Sequence, residues 1–267
     1  MSVLESLARR IPNSLRPPLR SLYRAYAFLY REYMLRHYSA PVRKVLRFFF
    51  SHSEELEAQM SAWFAAELLQ AVVNTDRLQG DIIECGTYRG GSTVLVAQVL
   101  DRIGSGKQVY ACDTFEGHPY DDIDSAVDYH RAGRGSDTSV SYVRSKFERF
   151  GVKSRIAIAK GRFEDILLRE LGDKEFSLAF LDCDLYDSAK VAYSFLYTRV
   201  VPGGCIVVHD YVETGGERIF GISAATDEFL CEKGLVIKRV GSCAHVIWIP
   251  QLKDGQSGLP KIKADTK

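Results

Sequence analysis

With 267 residues, 46% of them hydrophobic, the chain is long enough to bury a full core as one large domain. Its 26% charged residues and the lack of a low-complexity tract are those of an ordinary soluble protein, and no apolar run reaches the roughly 18–20 residues that cross a bilayer. Net charge is +1, yet residues 1–50 hold ten Lys/Arg against Glu5 and Glu32, which leaves −7 for the remainder. A body that acidic is a poor match to a nucleic-acid backbone, so a nucleic-acid partner is not expected.

In chain order, Pro12, Pro17 and Pro18 break the opening segment. Arg9, Arg10, Arg16 and Arg20 interrupt every stretch that would serve as the apolar centre of a signal peptide, so a cytoplasmic protein is expected. Residues 19–38 combine Leu22, Tyr23, Tyr26, Leu29, Tyr30 and Tyr33 with Arg24, Arg31 and Arg36, an amphipathic helical pattern that Pro41 is expected to end. A further helix is read over 53–73, with Ser53 as its cap and Glu54 and Glu55 in its first turn. Residues 1–75 thus read as a basic helical extension.

From Asp81 the rhythm changes. Short apolar runs at 81–85, 108–112, 155–159, 177–181 and 204–208 alternate with helical stretches at 92–103, 140–150, 163–171 and 188–200. Strands that are apolar throughout and joined by crossover helices form a parallel sheet covered on both faces. A last helix near 222–232 leads to strands at 235–240 and 244–249, separated by Gly241-Ser242 and read as a hairpin. Residues 76–250 form the expected catalytic domain, and 251–267 a polar tail. Cys85, Cys112, Cys183, Cys205, Cys231 and Cys243 show no metal-finger spacing and read as reduced thiols, mostly in the core.

The first strand runs into Glu84-Cys85-Gly86-Thr87-Tyr88-Arg89-Gly90-Gly91-Ser92, a glycine turn opening a helix. Such a turn lets backbone approach a ligand and offers free N–H groups at the helix start. Tyr88 stands where dinucleotide binders keep a glycine against the pyrophosphate, so a ligand without phosphates, such as S-adenosylmethionine, fits better. The bland alternative is a strand-to-helix turn with glycines for packing. Asp113, followed by Thr114, ends the second strand, where an acid accepts ribose hydroxyls or merely caps a helix. Gly161-Arg162 ends the third strand, where an adenine would lie.

The fourth strand ends in Asp182-Cys183-Asp184 and the fifth in His209-Asp210-Tyr211. Adjacent strands are about 4.8 Å apart, so these groups converge at one rim. Asp182, His209 and Asp210 form a candidate site for one divalent metal with open positions, which would draw an alcohol toward its alkoxide. Without a metal, His209 is a hydrogen-bonded residue at a strand end. Asp184 reads as a loop brace, and Asp187 or Ser188 as the cap of the next helix.

At these residues the chain resembles the macrocin O-methyltransferase family. The similar stretches are 84–92, 112–119, 142–147, 181–188, 201–211 and 221–229, in the family's order and spacing. The resemblance implies a doubly wound, seven-stranded, mostly parallel sheet of the class I methyltransferase type with an antiparallel C-terminal hairpin. It implies S-adenosylmethionine and Mg²⁺ as cofactors, and methyl transfer to a hydroxyl of a sugar or glycosylated metabolite. Asp182 is then a metal ligand and candidate general base, and the paired acids before the tyrosine are the other ligands. Here the first of that pair is His209, and an imidazole suits Mn²⁺, Fe²⁺ or Zn²⁺ better than Mg²⁺, which leaves the metal's identity and the dependence on it open. Other readings are methylation of a catechol-like phenol, or a non-catalytic cofactor-binding scaffold.

The connection 114–138 is long enough for a lid or an acceptor-binding element. It carries His118, Asp121, Asp122, Asp124, Asp128 and His130, and His130 is a candidate base against a solvated loop histidine. The basic extension reads either as a lid or homo-oligomer contact, or as a peripheral membrane contact through residues 1–50. In the second case each Lys/Arg near an anionic surface is worth ~1 kcal/mol.

Overall fold

The alternating apolar runs form seven strands: β1 (Asp81–Cys85), β2 (Val109–Asp113), β3 (Ile156–Lys160), β4 (Phe176–Leu181), β5 (Val200–Val208), β6 (Ile237–Val240) and β7 (Ala244–Trp248). The computed structural model describes residues 16–118, 128, 133–212, 221–241 and 243–250. The expectations placed on His130, on Asp121, Asp122 and Asp124, and on the 251–267 tail lie outside the described residues.

The sheet order is β3-β2-β1-β4-β5-β7-β6. β1 to β5 pair in parallel, whereas β7 is antiparallel to both β5 and β6. This is the expected class I methyltransferase sheet, with each expected strand present. Successive side chains leave opposite faces of a strand, and the two faces build two cores. On one, Ile82, Val109, Leu178, Phe180 and Val207 meet the helices α2 (Ala40–Ser51), α4 (Ala62–Thr75) and α5 (Gly91–Ile103). On the other, Ile83, Cys85, Cys112, Leu181 and Val208 meet α7 (Phe163–Leu171), α8 (Tyr186–Arg199) and α9 (Gly221–Lys233). Cys85, Cys112, Cys183 and Cys205 are free and buried, and burial pushes each thiol up, away from its reactive thiolate.

The extension departs from expectation at its prolines and caps. The described part of α1 (Arg16–Leu35) begins with Pro17 and Pro18 in its first turn. Pro41 opens α2 rather than closing the helix before it. A proline in a first turn gives up an N–H that has no intrahelical partner there, so it starts a helix as readily as it stops one. The single helix expected over 53–73 is two, α3 (Ser53–Leu56) and α4, separated by residues 57–60 and Ser61. His52, not Ser53, stands at the N-cap of α3, and Ser61 caps α4 by accepting from the Phe64 N–H at 3.1 Å. Neither Asp187 nor Ser188 caps α8, whose N-cap is Leu185. The Tyr186 N–H donates instead to Asp128 at 2.9 Å, from a residue far back in the chain. Among the described residues no helix is long and apolar enough to cross a membrane.

Candidate active site

The sheet's hydrogen-bond ladder runs past the strand ends and aligns the residues that follow them. Gly161 N donates to Asp113 O, Gly86 N to Cys112 O, Asp182 N to Cys85 O and His209 N to Leu181 O, all at 2.9–3.0 Å. Five neighbouring strands therefore present Gly161, Asp113, Gly86, Asp182 and His209 along one carboxyl rim. The rim floors a cleft of about 320 Å³, within the size range of small-molecule sites. Gly86, Thr87, Tyr88, Ser92, Asp113, Thr114, Gly161, Arg162, Asp182, His209 and Asp210 all line it.

Glu84 and Gly90 do not line the cleft. Glu84 lies beneath it, 2% exposed, and accepts from the Ser92 and Thr93 hydroxyls. Burial, with the nearby Asp182 and Asp113 charges, pushes its carboxyl up to about 8, although both hydroxyls pull the other way. It braces the start of α5. Gly86 has φ +98°, and a Cβ there would come within 2.0 Å of the Asp182 carbonyl; only glycine lets the two strand ends close up. Asp113 holds the loop from the other side. Its Oδ2 accepts from Thr87 N at 2.9 Å and Tyr88 N at 2.8 Å, and its Oδ1 from Phe115 N at 2.7 Å. Tyr88, Asp184 and Asp210 take left-handed φ values of 49°, 64° and 54°, and all three face the cleft. Such strain concentrates where geometry serves a ligand.

Asp182, His209 and Asp210 offer three donor atoms within 4.8 Å of one another. His209 Nδ1 lies 2.9 Å from Asp182 Oδ1 and 3.3 Å from Asp210 Oδ1. Burial lowers the imidazole's basicity, but the Asp182 charge and hydrogen bond, with Asp210, prevail and push His209 up to about 10. Burial raises Asp182 as well, and the His209 cation works against it. The Phe64 ring of α4 stands edge-on to His209 at 4.5 Å and fixes its plane.

Several lining groups were not singled out as ligand-contacting from the sequence. Residues 57–60 cross the cleft as a strap between α3 and α4. Glu57 pairs with Arg89, accepts from the Tyr142 hydroxyl, and holds Lys146 Nζ at 2.8 Å. Arg89 reaches on to Asp137 at 2.6 Å, which also accepts from Tyr88 OH at 2.8 Å. The carboxyl of Glu57 is held below its ordinary range, its cation partners outweighing its burial. Tyr142 and Lys146 sit on α6 (Val140–Arg149), one helical turn apart, which is the signal that marks them as acting together. His118 Nε2 lies 3.3 Å from Asp184 Oδ2, both facing the cleft.

A family model for macrocin-O-methyltransferase (TylF) matches residues 65–236. The chain belongs to the macrocin-O-methyltransferase family. It is 34% identical over 153 residues to the 8-demethyl-8-(2,3-dimethoxy-alpha-L-rhamnosyl)-tetracenomycin-C 4'-O-methyltransferase of Streptomyces olivaceus, covering 54% of this chain and 58% of that protein. It is 26% identical over 145 residues to the mycinamicin III 3''-O-methyltransferase of Micromonospora griseorubida, covering 51% and 57%. The chain thus spans just over half the length of these curated relatives. The fold is that of the O-methyltransferase NovP, with TM-score 0.61, 23% identity, and coverage of 70% of this chain and 79% of that one. The matched macrocin-O-methyltransferase segment contains every residue lining the cleft except the 57–60 strap, which comes from the extension.

Proposed function

We propose that this macrocin-O-methyltransferase family member transfers a methyl group from S-adenosylmethionine to a hydroxyl of a sugar in a glycosylated metabolite. One observation carries the reading: the glycine loop with Asp113, and the Asp182–His209–Asp210 group, share one cleft at one rim. The names of the two relatives, one a rhamnosyl-bearing tetracenomycin methyltransferase, support a sugar-bearing acceptor.

The bound cofactor supplies an electrophilic sulfonium methyl, whose departure leaves a neutral thioether. Free N–H groups at the start of α5 suit its amino-acid end, and Asp113 Oδ1, which accepts from Phe115 N and only at 3.4 Å from the Thr114 hydroxyl, suits a ribose hydroxyl. Arg162 and Phe163, which line the cleft at the start of α7, suit its adenine end. Asp182 takes the acceptor's hydroxyl proton as the new O–C bond forms. Its raised pKa makes it a stronger base than a solvated carboxylate, and the His209 contact keeps it ionised until then.

The donor set also fits a divalent cation. Cis ligands of an octahedral ion at about 2.1 Å lie about 3 Å apart, close to the 2.9 and 3.3 Å separations at His209 Nδ1. Asp182, His209 and Asp210 would hold such an ion in place of the Nδ1 proton, with Mn²⁺ favoured over Mg²⁺, and it would acidify a bound hydroxyl.

Calorimetric titration with S-adenosylmethionine, then a methyl-transfer assay on glycosylated acceptors, tests the reading. The cofactor is expected to bind, and Asp182→Asn to lower kcat by about 10²-fold or more with cofactor affinity retained. Chelator should depress activity and Mn²⁺ restore it. Absence of cofactor binding sinks the proposal, and full activity in chelator removes the metal from it.

A further inference from the structure

Half of the large apolar side chains that stand exposed among the described residues lie on α1: Tyr26, Phe28, Leu29, Tyr30 and Tyr33. Helical spacing of three and four puts Tyr26, Leu29, Tyr30 and Tyr33 on one face. Tyr26, Leu29 and Tyr33 are 60%, 65% and 52% exposed, and exposed apolar side chains grouped on one face, unlike singly scattered ones, mark an interaction surface. The helix meets the body along one edge of this face, where the Tyr30 ring stands edge-on to Trp63 of α4 at 6.0 Å and Met34 is buried, and behind it, where Leu35 is buried and the Arg31 guanidinium lies 4.9 Å from the Phe50 ring centre.

Charge decides what covers this ridge. Between Arg16 and Ser51 the chain carries eight Lys/Arg and one acid, Glu32. That acid is taken up by Arg47 at 2.8 Å. Arg36 lies 3.9 Å over the Tyr33 ring, a cation on the aromatic face itself, and Lys44 stands exposed on α2. The commonest self-association is a symmetric dimer, which places the same patch against itself. Here that would bring two strongly cationic helices together. An anionic bilayer leaflet offers the opposite charge, and an amphipathic helix with aromatic residues on its apolar face and Arg/Lys beside it lies in such an interface. Tyrosine suits the same boundary, its ring in the apolar zone and its hydroxyl in water.

We propose that the exposed face of α1 docks this protein on an anionic lipid surface, with the acidic body turned to the solvent. This does not depend on the methyl-transfer reading. The test is co-sedimentation of the full chain with vesicles of phosphatidylcholine alone and with 30% phosphatidylglycerol, with sedimentation velocity in parallel. At low salt, binding to the anionic vesicles is expected to be at least tenfold tighter, and to weaken in 0.5 M NaCl. The triple variant Tyr26→Ser, Leu29→Ser, Tyr33→Ser removes only exposed side chains; it should lose tenfold or more in vesicle binding while its melting temperature holds. Equal binding to both vesicle types, or none to either, overturns the proposal. So does an oligomer that the triple variant dissolves while vesicle binding is unchanged, which would assign the ridge to a second copy.

Discussion

Glu84 sits at the end of β1 with the Ser92 and Thr93 hydroxyls donating to it, and with Asp182 and Asp113 near enough to oppose its charge. Folding therefore favours its protonated form. With the folded-state pKa at about 8 and the ordinary value at 4.5, its contribution is complete below about pH 4.5 and is lost as pH rises through 8. Glu84→Gln keeps the shape and removes the ionisation; one hydroxyl still donates to the amide oxygen and the other turns to accept from the amide N–H. The melting temperature of the glutamine variant relative to wild type should rise between pH 5.5 and pH 8, read by thermal unfolding at both. A difference that does not move with pH would show that the buried carboxylate ionises without penalty. The sequence placed Glu84 at the rim correctly by chain position, but as a ligand residue. Its side chain points below the floor, and neither glycine spacing nor strand length records which way a strand's last side chain faces.

At the scale of elements, the parallel core is legible because periodicity and glycine turns are local signals. β1, α7 and the start of β7 fall where expected, and the other core elements shift mostly by one or two residues, β5 starting earlier. The extension is less legible: Pro41 reads equally as a stop or a start, and the break between α3 and α4 is enforced by distant packing. Gly91 shows that packing directly, since a Cβ on it would come within 2.4 Å of the Leu56 carbonyl. The strap at residues 57–60 therefore sits tight against the start of α5, and its Glu57 ties Arg89 of the glycine loop to Lys146 of α6. Lys146 is 6% exposed, so Glu57→Ala leaves a buried cation short of its partner. Breaking such a pair costs several kcal/mol when fully buried; Glu57 is partly exposed, so about 2 kcal/mol is expected in urea unfolding. Cofactor affinity should fall as well, because Arg89 and Tyr88 share the Asp137 clamp. Unchanged stability and affinity would make the strap a bystander.

For the molecule as a whole, the question is whether the extension is a separable arm. The family match begins at residue 65, and sequence alone divides the chain near residue 75. The core does not follow either boundary. Met34, Leu35, Val42, Val45, Leu46 and Phe49, each at most 7% exposed, belong to the same buried cluster as Ile82, Leu178 and Val207 of the sheet. At about 1.5–3 kcal/mol per buried apolar side chain, these six contribute about 9–18 kcal/mol, an upper estimate because the unfolded chain already buries part of that surface. A whole domain is stable by only about 5–15 kcal/mol. Deleting residues 1–50 should therefore yield a chain that unfolds or aggregates at room temperature, whereas deleting 1–24 removes none of these six and should melt close to the full chain. Thermal unfolding and S-adenosylmethionine titration of the two truncations decide it. If the 1–50 deletion melts like the full chain and still binds cofactor, the extension is an independent arm and this face of the sheet has another cover. If it fails while the 1–24 deletion holds, the helices before residue 65 are part of the catalytic fold, and the exposed face of α1 is what they leave free for a partner.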